Sequence, residues 1–204
     1  MIQRTIITCL FILSILSNQA QTGKWFNSDQ YLSSNLVNQI YQDREGFIWI
    51  STRNGLDSYD GYRFKIYKHK EGYPNSLFGN YVNCVAQTHN GTFFIGMYNG
   101  IQTFDGHQFR EITTLDRSGK QTQCYVTSII QRRNGAILIS TSGHGLMRLN
   151  HQGIFTPVYP SQSKLRNTYR ILEDNDRRLW IVTEKQGVFA EYVGKKRTYP
   201  IPLS

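Results

Sequence analysis

The sequence predicts an all-β protein built from four tandem copies of one antiparallel unit. Three observations carry that prediction: an internal repeat, short apolar segments cut by Gly, Asn and Asp, and near-continuous apolar runs in the middle of each copy. The repeat is clearest between residues 40–64, IYQDREGFIWISTRNGLDSYDGYRF, and residues 85–109, VAQTHNGTFFIGMYNGIQTFDGHQF. They align without a gap at an offset of 45 and agree at 8 of 25 positions: Gln42/Gln87, Gly46/Gly91, Ile50/Ile95, Asn54/Asn99, Gly55/Gly100, Asp60/Asp105, Gly61/Gly106 and Phe64/Phe109. Unrelated segments of ordinary composition would share roughly one or two. Ile129–Asn150 and Ile171–Tyr192 are weaker copies, in which Gly145 and Gly187 stand where Gly55 stands. Gly46 is matched by Gly135 in the third copy and by Arg177 in the fourth, so the fourth copy is expected to turn differently there.

Each copy reads as four strands. In the first these are Val37–Gln42, Phe47–Thr52, Leu56–Tyr59 and Arg63–Tyr67, rich in aromatic and β-branched residues. The break Arg44–Gly46 recurs as His89–Gly91 and Arg133–Gly135, and Gly there supplies a positive φ for a two-residue hairpin. Asn54–Gly55 and Asp60–Gly61 predict two further hairpins. The runs FIWI, FFIG and ILIS alternate poorly, which suits a strand buried on both faces. Radially arranged copies bury both faces of each other, and this is a β-propeller of four-stranded antiparallel blades. A linear solenoid competes, but the spacing of 42–45 residues fits a blade better than shorter solenoid units. About four blades are expected, an incomplete propeller. Residues 1–20 form a signal peptide and 21–36 a lead-in; 37–75, 76–120, 121–164 and 165–204 are blades 1 to 4. The last stops as its outer strand should form.

The first twenty residues carry Arg4, then the apolar core Ile6–Leu16, then a polar stretch ending in Ala20. That core is too short to span a bilayer and fits a cleaved export signal. No later run of 18 apolar residues follows, so a periplasmic or secreted location is expected, with no membrane segment after the signal. Cys84 and Cys124 occupy different repeat positions, and two buried free thiols are favoured over a bridge. The net charge of +9 is spread along the chain, the densest run being Lys195–Arg197. It reads as solvated surface; the sharper reading is attraction to a uronate- or sulfate-bearing glycan or an anionic membrane. Nucleic acid is not an expected partner in that compartment.

The repeats resemble the two-component regulator propeller family, whose unit runs D-x-x-G-x-[LI]-W-[IF]-G-T and then x-x-G-[LI]-x-x-[YF]. The first copy carries Asp43, Gly46, Ile48, Trp49, Ile50 and Thr52, then Gly55, Leu56 and Tyr59. The fourth carries Asp174, Leu179, Trp180, Ile181, Thr183 and Gly187; the second and third replace the Trp with Phe94 and Leu138. Tyr31–Ile40 resembles the segment that opens the sensor half of such proteins. The resemblance implies a periplasmic sensor segment of a hybrid two-component regulator, an N-terminal fragment of a longer array that detects an oligosaccharide. Its kinase would lie in domains absent from this chain. A stand-alone secreted binding module and a propeller glycosidase or lyase are the alternatives. Partners are then an oligosaccharide, further blades, or a second copy.

Trp49, Phe94, Leu138 and Trp180 recur at one place inside an apolar strand, which argues for inter-blade packing rather than sugar stacking. Trp25 lies before the first blade and decides nothing. The loops at Arg53–Asn54, Tyr98–Asn99, Ser142–His144 and Lys185–Gln186 should share one rim, with varied side chains before a constant Gly. They form a candidate ligand rim, with ordinary turns as the competing reading. No catalytic residue, metal site or cofactor is expected: His69, His89, His107, His144 and His151 lack metal spacing, and no H-E-x-x-H, C-x-x-C or G-x-S-x-G occurs. The S-x-D-x-G-x-T-W repeat of propeller sialidases is also missing. Asn90-Gly91-Thr92 matches a glycosylation sequon but is accounted for by the hairpin turn.

Overall fold

The structure is a computed structural model that describes residues 23–192 and the strand at 198–201. The expected signal peptide and the Lys195–Arg197 run lie outside the described residues. Among the described residues, sixteen strands form four four-stranded antiparallel sheets. The first holds β1 (Val37–Gln42), β2 (Ile48–Thr52), β3 (Gly55–Tyr59) and β4 (Phe64–Tyr67). The second holds β5 (Val82–Gln87), β6 (Phe93–Met97), β7 (Gly100–Phe104) and β8 (Phe109–Glu111). The third holds β9 (Tyr125–Gln131), β10 (Ile137–Ser142), β11 (Gly145–Leu149) and β12 (Phe155–Pro157). The fourth holds β13 (Thr168–Glu173), β14 (Leu179–Thr183), β15 (Val188–Glu191) and β16 (Thr198–Ile201), which pairs with β15 as the outer strand. In every sheet the strands lie in chain order, and the innermost strands β1, β5, β9 and β13 pack one on the next. This is the all-β blade architecture expected from the repeat, with one short 3-10 turn at Ser163–Leu165.

The apolar runs are buried on both faces because alternate residues serve different neighbours. Phe93, Ile95 and Met97 of β6 join Trp49 and Leu56 in a core between the first and second sheets. Phe94 points the other way, into a core with Val126, Ile129, Ile139 and Phe155 of the third sheet. Leu138 and Leu146 meet Ile171, Ile181 and Phe189 in a third core. Cys84 and Cys124 are free and buried in the second core, where burial pushes their thiols up to about 12 and about 11. As protonated thiols they are poor nucleophiles.

The turns correct three expectations. The Asp43–Phe47 connection is a three-residue loop, not a two-residue one. Asp43 N–H donates to Phe47 O at 3.0 Å and Gly46 N–H to Asp43 O at 3.2 Å, with Gly46 at φ 90°. Gly55 is not in its turn at all: it pairs with Thr52 as the first residue of β3. It is Gly because a Cβ there would come within 2.9 Å of Ser33 and of the Tyr67 carbonyl. The fourth copy does not turn differently. Arg177 takes φ 62° and closes the same loop, with N–H donated to Asp174 O at 3.1 Å.

That last turn holds an L-residue in left-handed backbone, which costs roughly 1 kcal/mol. Arg177→Gly should therefore stabilise the protein by about 0.5–1 kcal/mol, measured as a higher denaturation midpoint, since the interaction Arg177 makes through its carbonyl is kept. An unchanged or lower midpoint would show that the turn is unstrained.

Candidate functional site

Two hydrogen bonds recur at each of the three junctions between sheets and fix how one blade sits on the next. Each inner strand carries a bulge near its start, which turns one extra residue toward the following blade. Asn38 Nδ2 donates to Val82 O at 2.8 Å, Asn83 Nδ2 to Val126 O at 2.7 Å, and Thr127 Oγ1 to Thr168 O at 2.8 Å. At the other end of the inner strand, the next blade's side chain accepts from the turn of the blade before. Arg44 N–H donates to Gln87 Oε1 at 3.0 Å, His89 N–H to Gln131 Oε1 at 2.6 Å, and Arg133 N–H to Glu173 Oε2 at 2.7 Å. The blades are thus clamped at both ends, and loops on the two rims are held on a rigid frame.

The β2–β3 rim carries the loops singled out from the sequence. Each loop residue meets the residue just before, or at, the start of the next blade's inner strand. The Arg53 guanidinium lies 5.7 Å from the centre of the Tyr81 ring. The Tyr98 ring lies 5.1 Å from the Tyr125 ring. At the third junction Gly143 N–H donates to Asn167 Oδ1 at 2.9 Å. Because Tyr81 also sits 5.8 Å from Tyr98 and 6.2 Å from Tyr125, the three rings and Arg53 form one group spanning three blades. Tyr98 is 62% exposed, so the group opens to solvent.

Asn83 braces the group from below. It receives the Tyr125 hydroxyl at 3.4 Å while its amide nitrogen is bound to Val126 O. Burial pushes the Tyr125 hydroxyl above its usual pKa; the Asn83 bond and Arg53 pull it back, and Tyr81 adds to the rise. The phenol therefore stays a neutral donor at physiological pH. Arg53 has no carboxylate partner among the described residues.

The remaining sequence candidates fall elsewhere. Ser142 and His144 stand on the same rim, and His144 Nε2 reaches Thr122 Oγ1 only at 3.5 Å. Gln186 N–H closes its own turn on Thr183 Oγ1 at 2.9 Å, so Lys185–Gln186 behaves as a plain turn. Trp25 is 90% exposed. Asn90 uses its Oδ1 to bind Thr88 Oγ1 and Thr92 N–H, as a hairpin residue does. No group of three or more metal-ligating side chains occurs among the described residues. Tyr81 and Tyr125 were missed by sequence reading. Their signal was available: each immediately precedes, or begins, an inner strand at the same repeat position.

The opposite rim also opens. Two adjoining clefts of about 550 and 620 Å³ lie between the first and second sheets and share Asp43, Glu45, Trp49, Phe104 and Gly106. Three of the four carboxylates around them are engaged in turn closure. Asp43 accepts from Phe47 N–H at 2.8 Å and from Trp49 Nε1 at 2.7 Å. Asp60 is held below the usual carboxylate range by the Arg63 and Tyr62 N–H groups, and Asp105 by those of Gln108 and His107. These bonds give the D-x-x-G-x-[LI]-W pattern its physical meaning. The carboxylate closes the turn and anchors the indole, and Asp174 repeats it with Arg178 N–H at 2.9 Å and Trp180 Nε1 at 2.7 Å. The second and third copies have Thr88 and Arg132 in place of the Asp, and no indole to hold.

Comparison with known proteins agrees with this architecture. Residues 31–54, from the lead-in to the β2–β3 turn, match the family described as two component regulator propeller and are a repeat of that kind. A histidine kinase of Formosa agariphila is 39% identical over 64 residues, which is 29% of this chain and 5% of the kinase. The crystal structure of the extracellular domain of a hybrid two component system from B. thetaiotaomicron superposes with a TM-score of 0.72 at 17% identity, over 87% of this chain and 27% of that one. A catalytically inactive virginiamycin B lyase from Staphylococcus aureus, crystallised with quinupristin, superposes at 0.62 with 17% identity, over 82% of this chain and 56% of that one. The chain thus spans about a quarter of that extracellular domain, and at these identities the likeness establishes the propeller fold. No helix among the described residues is long and apolar enough to cross a membrane.

Proposed function

We propose that this chain is a ligand-sensing propeller segment of a hybrid two-component regulator, exported to the periplasm or cell exterior, and that it detects an oligosaccharide on the β2–β3 rim. The observation that carries the reading is the group of Tyr81, Tyr98 and Tyr125, drawn from two adjacent blades and flanked by Arg53 of a third. A sugar ring has an apolar face edged by hydroxyls. Tyr offers a flat apolar face and a hydroxyl at low entropic cost, which is the complementary surface. A site assembled from several blades also suits signalling, because a ligand bridging them biases how the blades sit relative to one another. The two-component regulator repeat at residues 31–54 supports the regulatory context. The reading assigns no catalysis to this segment.

Titration of the purified chain with a panel of oligosaccharides in a calorimeter tests the proposal. At least one should bind, and Tyr98→Ala should weaken that binding about tenfold or more while leaving the melting temperature unchanged, since Tyr98 is exposed. Binding that is indifferent to Tyr98, or turnover of the glycan, would sink it.

A further inference from the structure

We infer that the tyrosine rim selects a negatively charged sugar, one bearing a uronate carboxylate or a sulfate, and that Arg53 is the selecting residue. The inference rests on the oligosaccharide reading above and narrows its ligand. Arg53 occupies the loop position that Tyr98 occupies one blade further on, so the repeat puts a cation where its neighbour puts a ring. The guanidinium lies over the Tyr81 face at 5.7 Å and makes no ion pair among the described residues. This sets it apart from Arg63, Arg110, Arg132 and Arg178, each of which is bound to a carboxylate. An arginine held on a ring but left without a counter-ion keeps its planar fork free for an oxyanion.

Arg53 lies near enough to the heart of the site to act on the Tyr125 phenol, which it favours in the ionised form while Tyr81 opposes it. The Tyr125 hydroxyl, held by Asn83, supplies a neutral hydrogen-bonding group for a sugar hydroxyl, while the Tyr98 face is open for stacking. The chain as a whole carries a net charge of +9, which favours approach of an anion. Stacking faces, a neutral polar group and one unpaired guanidinium at a single rim describe a site for an acidic saccharide better than for a neutral one.

Calorimetric titration with three probes of equal length separates the cases: an oligogalacturonate, a sulfated oligosaccharide and a neutral oligoglucan. One of the two acidic probes should bind at least tenfold more tightly than the neutral one, and the preferred probe tells carboxylate from sulfate. Arg53→Gln should lower affinity for that probe about tenfold and leave the neutral one unchanged, while Tyr98→Ala lowers both. The preference should also weaken between low and high salt. Equal binding of acidic and neutral probes, or an acidic preference that survives Arg53→Gln, overturns the selection by Arg53 and leaves the oligosaccharide reading standing. Binding of none of the probes or of a wider neutral panel overturns both.

Discussion

Trp49→Ala should destabilise the protein by about 4 kcal/mol, seen as a large drop in the urea midpoint, whereas Trp49→Phe should cost only about 1–1.5 kcal/mol. The indole is 7% exposed and packs at 4.6 Å from Phe93, 5.8 Å from Tyr67 and 6.0 Å from Phe104. It joins the first blade to the second. Truncation to Ala opens a cavity between two sheets and frees Asp43 Oδ2, which the indole N–H holds at 2.7 Å. The Phe variant keeps most of the packing and loses that bond. The second blade is the natural control, because Phe94 occupies the same register position and Thr88 replaces the Asp there. Asp43→Thr combined with Trp49→Phe should therefore be less damaging than the sum of the two changes. Strict additivity in that double-mutant cycle would show that Asp43 and Trp49 do not act as a pair.

The second large effect lies at the junction of the third and fourth blades, where an ion network stands beside the apolar core. Arg132 donates to Glu173 at 2.7 Å and to Glu191 at 2.9 Å, with side chains 14%, 8% and 19% exposed, and to the Arg177 carbonyl at 3.0 Å. Tyr159 hydroxyl also donates to Glu191. Arg132→Ala leaves two largely buried carboxylates without their cation, and a loss of roughly 3 kcal/mol is expected, at the low end for a broken buried pair. Glu173→Gln should cost much less, about 1 kcal/mol, because Gln87 and Gln131 already serve the same inter-blade role at the other two junctions. Equal losses in the two variants would contradict a charge-based account.

The same network makes a pH prediction with a definite sign. Burial acts to raise the pKa of Glu173, but the Arg133 N–H and the Arg132 guanidinium outweigh it and hold the carboxyl below its ordinary 4.5. A folded pKa below the unfolded one means the stabilisation is complete above about pH 4.5 and is lost as pH falls through the folded value. Unfolding midpoints should therefore fall below about pH 4.5 in the wild-type chain and fall less steeply in Glu173→Gln. Asp57 works in the opposite sense. Its burial raises its pKa against the two Ser33 hydrogen bonds, and its Oδ1 has no partner among the described residues, so its charge is a burden that grows as pH rises.

The strands were legible because the repeat states them four times, as short aromatic and β-branched segments cut by Gly, Asn and Asp. The apolar runs announced burial on both faces, and the three cores between successive sheets bear that out. The turn at Arg177 shows the limit of reading glycine as a rule. A left-handed residue is required there by the ladder on either side, and the fold imposes it on Arg when Gly is missing. Gly55 shows the converse, a glycine demanded not by its own turn but by Ser33 of the lead-in pressing against it.

The candidate site was only half visible. The loop residues Arg53 and Tyr98 stood out by position, but their partners Tyr81 and Tyr125 are 28 and 27 residues away in sequence. They belong to the next blade in each case; their shared repeat position marks them, but not the loop that each of them meets. The sequence by itself determined the strand pattern, the turn sites and the number of units, because those depend on periodicity and short-range sterics. Which side chains meet across blades, the bulge clamps, the aromatic rim and the Arg132 network were decided by tertiary structure alone. Those contacts depend on how one sheet rotates onto the next, a relation between distant residues that no single repeat encodes.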